Sequence, residues 1–142
     1  MPKILYVDLD NVLVDFSSGI ACLDERIVRE FDGRLDEVPG IFALMHPVEG
    51  AVEAFVTLSQ HFDTYVLSTS PWENPSAWGD KLQWVKKYLG THAYKNLNIG
   101  DYLIDDRFKN GTDRFTGEHI HFGSEKFPNW QAIVDYLLRR EH

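Results

Sequence analysis

The chain predicts an α/β layered fold, with a parallel sheet covered by helices on both faces, and three observations carry that expectation. Short apolar runs of strand length alternate with longer segments of helical period. The runs at Ile4 to Val7 and Tyr102 to Ile104 are apolar throughout, as strands buried on both faces are. Three of the short runs stop abruptly at oxygen-bearing residues, where an open parallel sheet gathers its functional loops.

The first run, Ile4 to Val7, gives way to Asp8-Leu9-Asp10. From Ser18 to Phe31, the residues Ile20, Leu23, Ile27, Val28 and Phe31 fall at helical spacing and predict one helix. A second helix is expected over Val52 to Phe62, entered through Glu49-Gly50. Thr64 to Leu67 reads as a strand ending in Ser68-Thr69-Ser70-Pro71. A helix over about 76–89 follows, started by Asn74-Pro75-Ser76 and burying a stripe of Trp78, Leu82, Val85 and Leu89. Tyr102 to Ile104 is a third strand, ending in Asp105-Asp106-Arg107. Ile120 to Phe122 is a further strand, and a last helix spans about 129–140. Asn110-Gly111 marks a turn in a loop from Lys109 to Gly117.

The bulk properties bound the function. At 142 residues and 44% hydrophobic content, the chain fits one domain with a core of ordinary size. A formal net charge of -8 disfavours binding to nucleic acid polymers and anionic membranes, which select basic surfaces. One cysteine, Cys22, allows no internal disulfide and no multi-cysteine zinc site, which favours a reducing, cytoplasmic setting. The four apolar residues before Asp8 are too few for a signal-peptide core or a membrane span, and no membrane association is expected.

The strand ends hold the chemistry. If their three strands are neighbours, Asp8, Asp10, Asp105 and Asp106 meet at one edge with the hydroxyls of the Ser68 to Ser70 loop. Two carboxylates about 5 Å apart repel by roughly 3 kcal/mol at an effective dielectric of 20, so the set implies a cation. All-oxygen ligands select a hard ion, magnesium before zinc or copper. Lys81, in the first turns of its helix, adds a fixed positive charge. Metal, hydroxyl donors and ammonium together are parts that bind and neutralise a phosphoryl group.

In order and placement, these segments resemble the four motifs of the haloacid dehalogenase superfamily of phosphotransferases: DLDNV, LSTS, Lys81 and YLIDD. Within it, DLDNVLVDF, STSPW, PSAWGDKLQWVKKYLG and GDYLIDDR resemble the 5′(3′)-deoxyribonucleotidase family, its short bacterial members in particular. The resemblance implies a Rossmann-like three-layer sandwich, one domain over 1–142 with a small helical cap inserted after the first strand at about 17–47. It implies a magnesium-dependent phosphomonoester hydrolase acting on a small phosphoester, a deoxyribonucleoside monophosphate. Asp8 would be the nucleophile that forms an aspartyl-phosphate, and Asp10 the acid and then the base. Mg2+ would sit on the Asp8 carboxylate, the Asp10 main-chain carbonyl and the Asp105-Asp106 pair, with Asp106 favoured as the direct ligand. Thr69, Ser70 and Lys81 would hold the phosphoryl oxygens.

For a nucleobase, Phe16 matches a base-contacting phenylalanine of the family, and Trp72 and Phe42 are further candidates; Trp78 reads as core. His119 and His121 share one strand face and read as a polar face rather than a metal site. Two stretches depart from the family pattern. Leu89 to Tyr102 is shorter than the family's, leaving Lys95 without an assigned role, and the region around Phe42 to Pro47 is abbreviated. The alternatives are a superfamily phosphatase for another small phosphoester and a non-catalytic binder of phospho-ligands. A signalling receiver is disfavoured, because its acidic pair precedes its acceptor aspartate and its lysine comes last. The sequence does not specify an oligomeric state.

Overall fold

A computed structural model of the chain describes residues 3–90, 102–106 and 117–141. Its centre is a four-stranded, wholly parallel sheet of β1 (Ile4–Asp8), β4 (Asp63–Leu67), β5 (Tyr102–Asp105) and β6 (Glu118–His121), in the order β4-β1-β5-β6. Leu5, Tyr6 and Val7 are buried on both faces of the sheet, as an uninterrupted apolar run requires. The chain moves from β1 outward to β4, then back past β1 to β5. Right-handed crossovers in opposite directions place the connecting helices on opposite faces of the sheet, giving three layers. Helix α3 (Ala51–Ser59) and helix α5 (Trp130–Glu141) pack on each other, whereas α4 (Ser76–Tyr88) lies against the segment inserted after β1.

That inserted segment is bounded by a two-stranded antiparallel ladder, β2 (Val14–Asp15) with β3 (His46–Pro47), which the apolar pattern did not predict. Between them lie α1 (Phe16–Ile20), α2 (Glu25–Glu30) and two single 3-10 turns, Leu35–Glu37 and Ile41–Ala43. The single helix expected over 18–31 is therefore two. The break comes where Asp24, in an extended conformation, accepts a hydrogen bond from Arg26 N–H at 2.8 Å. Aspartate stabilises a helix start better than a helix interior, and here it wins over the continuous apolar spacing. Gly19 permits the insertion to pack on itself: a Cβ there would lie 2.9 Å from Met45 Cγ and 3.2 Å from the Ile41 carbonyl oxygen.

The stripe predicted for α4 holds at its C-terminal end, where Leu89 is buried and Val85 packs against the core, but is rotated in the first turns. There Trp78 is 60% exposed and Leu82 37%, and the buried positions within the helix are Ala77, Lys81 and Trp84. Trp78 and Leu82 each stand one residue beyond a buried position, about 100° around the helix. Polar bonding sets this roll rather than apolar spacing. The Lys81 ammonium is held inside, and the Trp84 indole N–H donates to the Met45 carbonyl at 3.0 Å. The remaining strands and helices lie within one or two residues of their predicted bounds, except that α3 ends at Ser59, three residues before the predicted Phe62. The turn at Asn110-Gly111, Arg107 and Lys95 lie outside the described residues.

Asn74 joins α4 to the inserted segment. Fully buried, its amide donates to the carbonyls of Asp36 at 2.9 Å and Val38 at 3.0 Å, and its Oδ1 accepts from Ser76 Oγ at 2.6 Å. Ser76 Oγ in turn accepts from the Gly40 N–H at 3.0 Å. Asn74→Ala strands two carbonyls and is expected to destabilise the fold by about 2–4 kcal/mol in urea unfolding. Asn74→Asp, which keeps the size but loses both amide donors, should recover little of this; wild-type stability in both variants would show that the anchor lies elsewhere.

Candidate active site

The parallel register builds the site. Asp8 pairs with Leu67, the last residue of β4, and Val7 pairs with Ile104, so Asp8 and Asp105 end adjacent strands side by side. The three strands whose ends carry the motifs are neighbours, with β1 in the middle. One carboxylate oxygen from each of Asp8, Asp105 and Asp106 lies within 4.8 Å of the other two. Asp8 Oδ2 is buried without a hydrogen-bond partner among the described residues. Burial first, then the charges of Asp105, Asp10 and Asp106, push the Asp8 carboxyl up to about 8, and a hydrogen bond with the Leu9 backbone offsets this only in part. Three converging carboxylates with an orphaned buried oxygen fit a hard divalent cation, which would favour the ionised form of Asp8.

Asp10 is engaged differently from the other three. Its Oδ2 accepts from the Lys81 ammonium at 2.9 Å, while its Oδ1 is buried without a hydrogen-bond partner among the described residues. A tight turn follows it: Asn11 adopts a left-handed conformation with φ 59°, which asparagine tolerates better than most residues. Asn11 N–H donates to Val14 O at 2.9 Å, and its side-chain oxygen accepts from Phe16 N–H at 3.3 Å. The Trp130 indole N–H fixes the same turn from α5, donating to Val12 O at 2.9 Å.

Lys81 is the one charged side chain fully buried among the described residues. Its three N–H groups reach Asp10 Oδ2, Ser68 Oγ at 3.0 Å and the Thr69 carbonyl, and its ammonium lies 4.4 Å from the centroid of the Phe42 ring. Phe42, buried in the inserted segment, meets Phe16 edge-on with centroids 5.9 Å apart. Lys81, Phe42 and Phe16 thus form a continuous wall beside Asp10.

The sequence-predicted residues are placed unevenly. Asp8, Asp105 and Asp106 come together, as do Asp10 and Lys81. Thr69 offers Lys81 its carbonyl and leaves its side chain exposed; Ser70 is half-buried in the same loop. The hydroxyl that touches Lys81 belongs to Ser68, which the sequence reading included in the loop without a role. Trp72 is 94% exposed, and Trp78 is a surface residue rather than part of the core. His119 and His121 share a face with rings 6.1 Å apart, outside the carboxylate cluster, and His121 Nε2 lies 2.8 Å from the Asp106 carbonyl. Ser68 has no separate sequence signal, and Phe42, a sequence candidate for a base contact, lies buried against Lys81. The link of each to Lys81 becomes visible only in the fold.

Residues 34–139 match the family model described as "5' nucleotidase, deoxy (Pyrimidine), cytosolic type C protein". The chain belongs to this family. It is a phosphomonoester hydrolase of the nucleotidase type. A relative in Vibrio phage KVP40, named as a 5'(3')-deoxyribonucleotidase, is 55% identical over 94% of this chain and 84% of its own length. The human 5'(3')-deoxyribonucleotidase of cytosolic type is 28% identical over 96% of this chain and 81% of its own. Among solved structures, the HAD-type hydrolase YfnB of Bacillus subtilis, bound to magnesium, superposes with a TM-score of 0.63 over 90% of each chain. At 10% identity, that likeness shows the fold alone.

The acidic cluster makes metal-free stability depend on pH. A carboxyl whose folded value of about 8 exceeds its ordinary 3.8 contributes stability that is full below the lower value and lost as pH rises through the higher one. In chelator, the melting temperature should fall between about pH 5 and pH 8. Asp105→Asn or Asp106→Asn should flatten that slope and raise the melting temperature at pH 8 by about 2–6 °C. Clear destabilisation by both substitutions would count against a repulsive cluster.

Proposed function

We propose that the chain hydrolyses deoxyribonucleoside 5′(3′)-monophosphates through an aspartyl-phosphate on Asp8, with magnesium as cofactor. The observation that carries this reading is the division of the four carboxylates: three converge, while Asp10 faces the buried Lys81. In the first step, an Asp8 carboxylate oxygen attacks phosphorus in line and the bond from phosphorus to the ester oxygen breaks. Asp10 gives its proton to the departing oxygen. In the second step, Asp10 takes a proton from water as that water attacks phosphorus, which frees inorganic phosphate and restores Asp8.

Asp8, Asp105 and Asp106, with the Asp10 main-chain carbonyl, would hold Mg2+, which supplies neutralising charge where the anionic nucleophile and phosphoryl oxygens meet. Lys81 and the hydroxyls of Thr69 and Ser70 bind the phosphoryl oxygens, and Ser68 orients Lys81. We take 1–142 as one domain whose insertion, at about 17–47, acts as a cap on the leaving-group side. Phe16 and Trp72 offer aromatic faces to a base. The names of the phage and human relatives support a deoxyribonucleotide substrate, and the human relative's cytosolic type supports the same compartment here. Among the described residues, no helix is long and apolar enough to cross a membrane.

Phosphate release from dUMP, dTMP, UMP, dGMP and p-nitrophenyl phosphate, with magnesium or with chelator, tests the proposal. Wild type should turn over deoxyribonucleotides best and only with metal, and Asp8→Asn should lose at least about a thousandfold in kcat. Turnover confined to p-nitrophenyl phosphate would retain the chemistry and replace the substrate. No turnover of any ester with magnesium would make the chain a phospho-ligand binder.

A further inference from the structure

We infer that Phe42 is a positioning residue for Lys81, so that the inserted segment helps to build the phosphoryl site itself. The inference rests on the reading of Lys81 as a phosphoryl-binding group. A lysine ammonium has three N–H groups, and all three are engaged, by Asp10, Ser68 and the Thr69 carbonyl. The Phe42 ring takes up a further side of the same ammonium, at 4.4 Å from its centroid. The aromatic face attracts a cation electrostatically, and the attraction strengthens when the partners are desolvated. Both are: Lys81 is 5% exposed and Phe42 3%.

This geometry matters because the other partners must change during a reaction cycle. A phosphoryl oxygen can reach the Lys81 ammonium only by replacing one of its three hydrogen-bond acceptors. The ring uses no N–H, so its hold on the ammonium persists whichever bond is exchanged. Its location is equally particular. Phe42 lies in the Ile41–Ala43 turn of the insertion, whereas Asp10 and the Ser68-Thr69 loop follow strands of the sheet. Phe16 braces the ring edge-on, and the hydrogen bonds of Asn74 and Ser76 hold the same insertion against the helix that carries Lys81.

The test compares wild type with Phe42→Leu, which keeps apolar bulk but removes the aromatic face, and Phe42→Tyr, which keeps the face. Two properties are measured: kcat and KM on p-nitrophenyl phosphate, and affinity for inorganic phosphate. A spectroscopic readout accompanies them, the ring-current shift of the Lys81 ε-methylene protons, assigned by their loss in Lys81→Met. Phe42→Leu should weaken phosphate binding and lower kcat/KM by about 5- to 30-fold and abolish the ring-current shift. Phe42→Tyr should restore all three.

A Phe42→Leu protein within twofold of wild type, or a Phe42→Tyr protein no better than Phe42→Leu, overturns the inference. Should Phe42→Leu fail to fold, a polyfluorinated phenylalanine at position 42 weakens the face at nearly constant volume. Affinity that falls with fluorination supports the role, and unchanged affinity overturns it. If wild type hydrolyses no ester, the proposed function fails, and phosphate affinity with the Lys81 shift still decides the part played by Phe42.

Discussion

Confinement of negative charge at the ends of β1 and β5 is the constraint around which the molecule is arranged. Parallel pairing forces Asp8 and Asp105 side by side, and Asp106 completes a trio; burial, and then the charges of Asp105, Asp10 and Asp106, hold a proton on Asp8 well above the ordinary carboxylate range. Such a cluster is costly by itself and useful only with a cation beside it. The fourth carboxylate, Asp10, also acts on Asp8 but is itself paired to the fixed cation of Lys81, whereas the other three are suited to a mobile one. The proposed nucleophile and acid-base partner, two residues apart, thus have different partners despite their shared loop.

Much of the packing serves the placement of one ammonium. Lys81 reaches the interior because α4 rolls to bury it together with Ala77 and Trp84, leaving two large apolar side chains, Trp78 and Leu82, at the surface. Hydrophobic area is forgone there, and polar satisfaction compensates: the lysine bonds to Asp10, Ser68 and Thr69, and the Trp84 indole bonds to Met45. A buried lysine left without those partners would cost several kcal/mol, more than burial of one further leucine returns. The same helix carries the Asn74 and Ser76 bonds to the insertion. Movement of α4 would therefore disturb both the phosphoryl site and the wall above it, and selection for a precise ammonium position is also selection for a rigid contact between these two elements.

Membership of the 5′ nucleotidase family fits this economy of parts. The proposed chemistry asks for a nucleophile, an acid and a fixed cation within one small volume, and the open parallel sheet gathers Asp8, Asp10, Asp105, Asp106 and Ser68 from three strand ends beside Lys81 of one helix. The inserted segment contributes through Phe42, whose ring reaches the ammonium from outside the sheet.

The sequence by itself determined the strands, the order of the motifs and the residues of the acidic cluster. Each is a local or periodic signal: an apolar run marks a buried strand, and an aspartate directly after it marks a sheet edge wherever the strands pair. The resemblance to the nucleotidases rested on those same stretches. Tertiary structure decided what depends on partners distant in the chain. Spacing alone favoured Trp78 and Leu82 for the buried face of α4, and only the contacts of Lys81, 71 residues from Asp10, turned that face elsewhere. The β2–β3 ladder likewise follows from pairing between the two ends of the insertion, whereas the division of the helix expected over 18–31 is local, set by the bond from the Arg26 N–H to Asp24. Ser68 is, in sequence, an ordinary loop serine, and Phe42 reads there as an aromatic candidate for a base rather than as the partner of a buried cation. They acquire their roles where the fold brings a buried charge to them, because electrostatic interactions depend on distance and burial in space, neither of which is recorded in the order of residues.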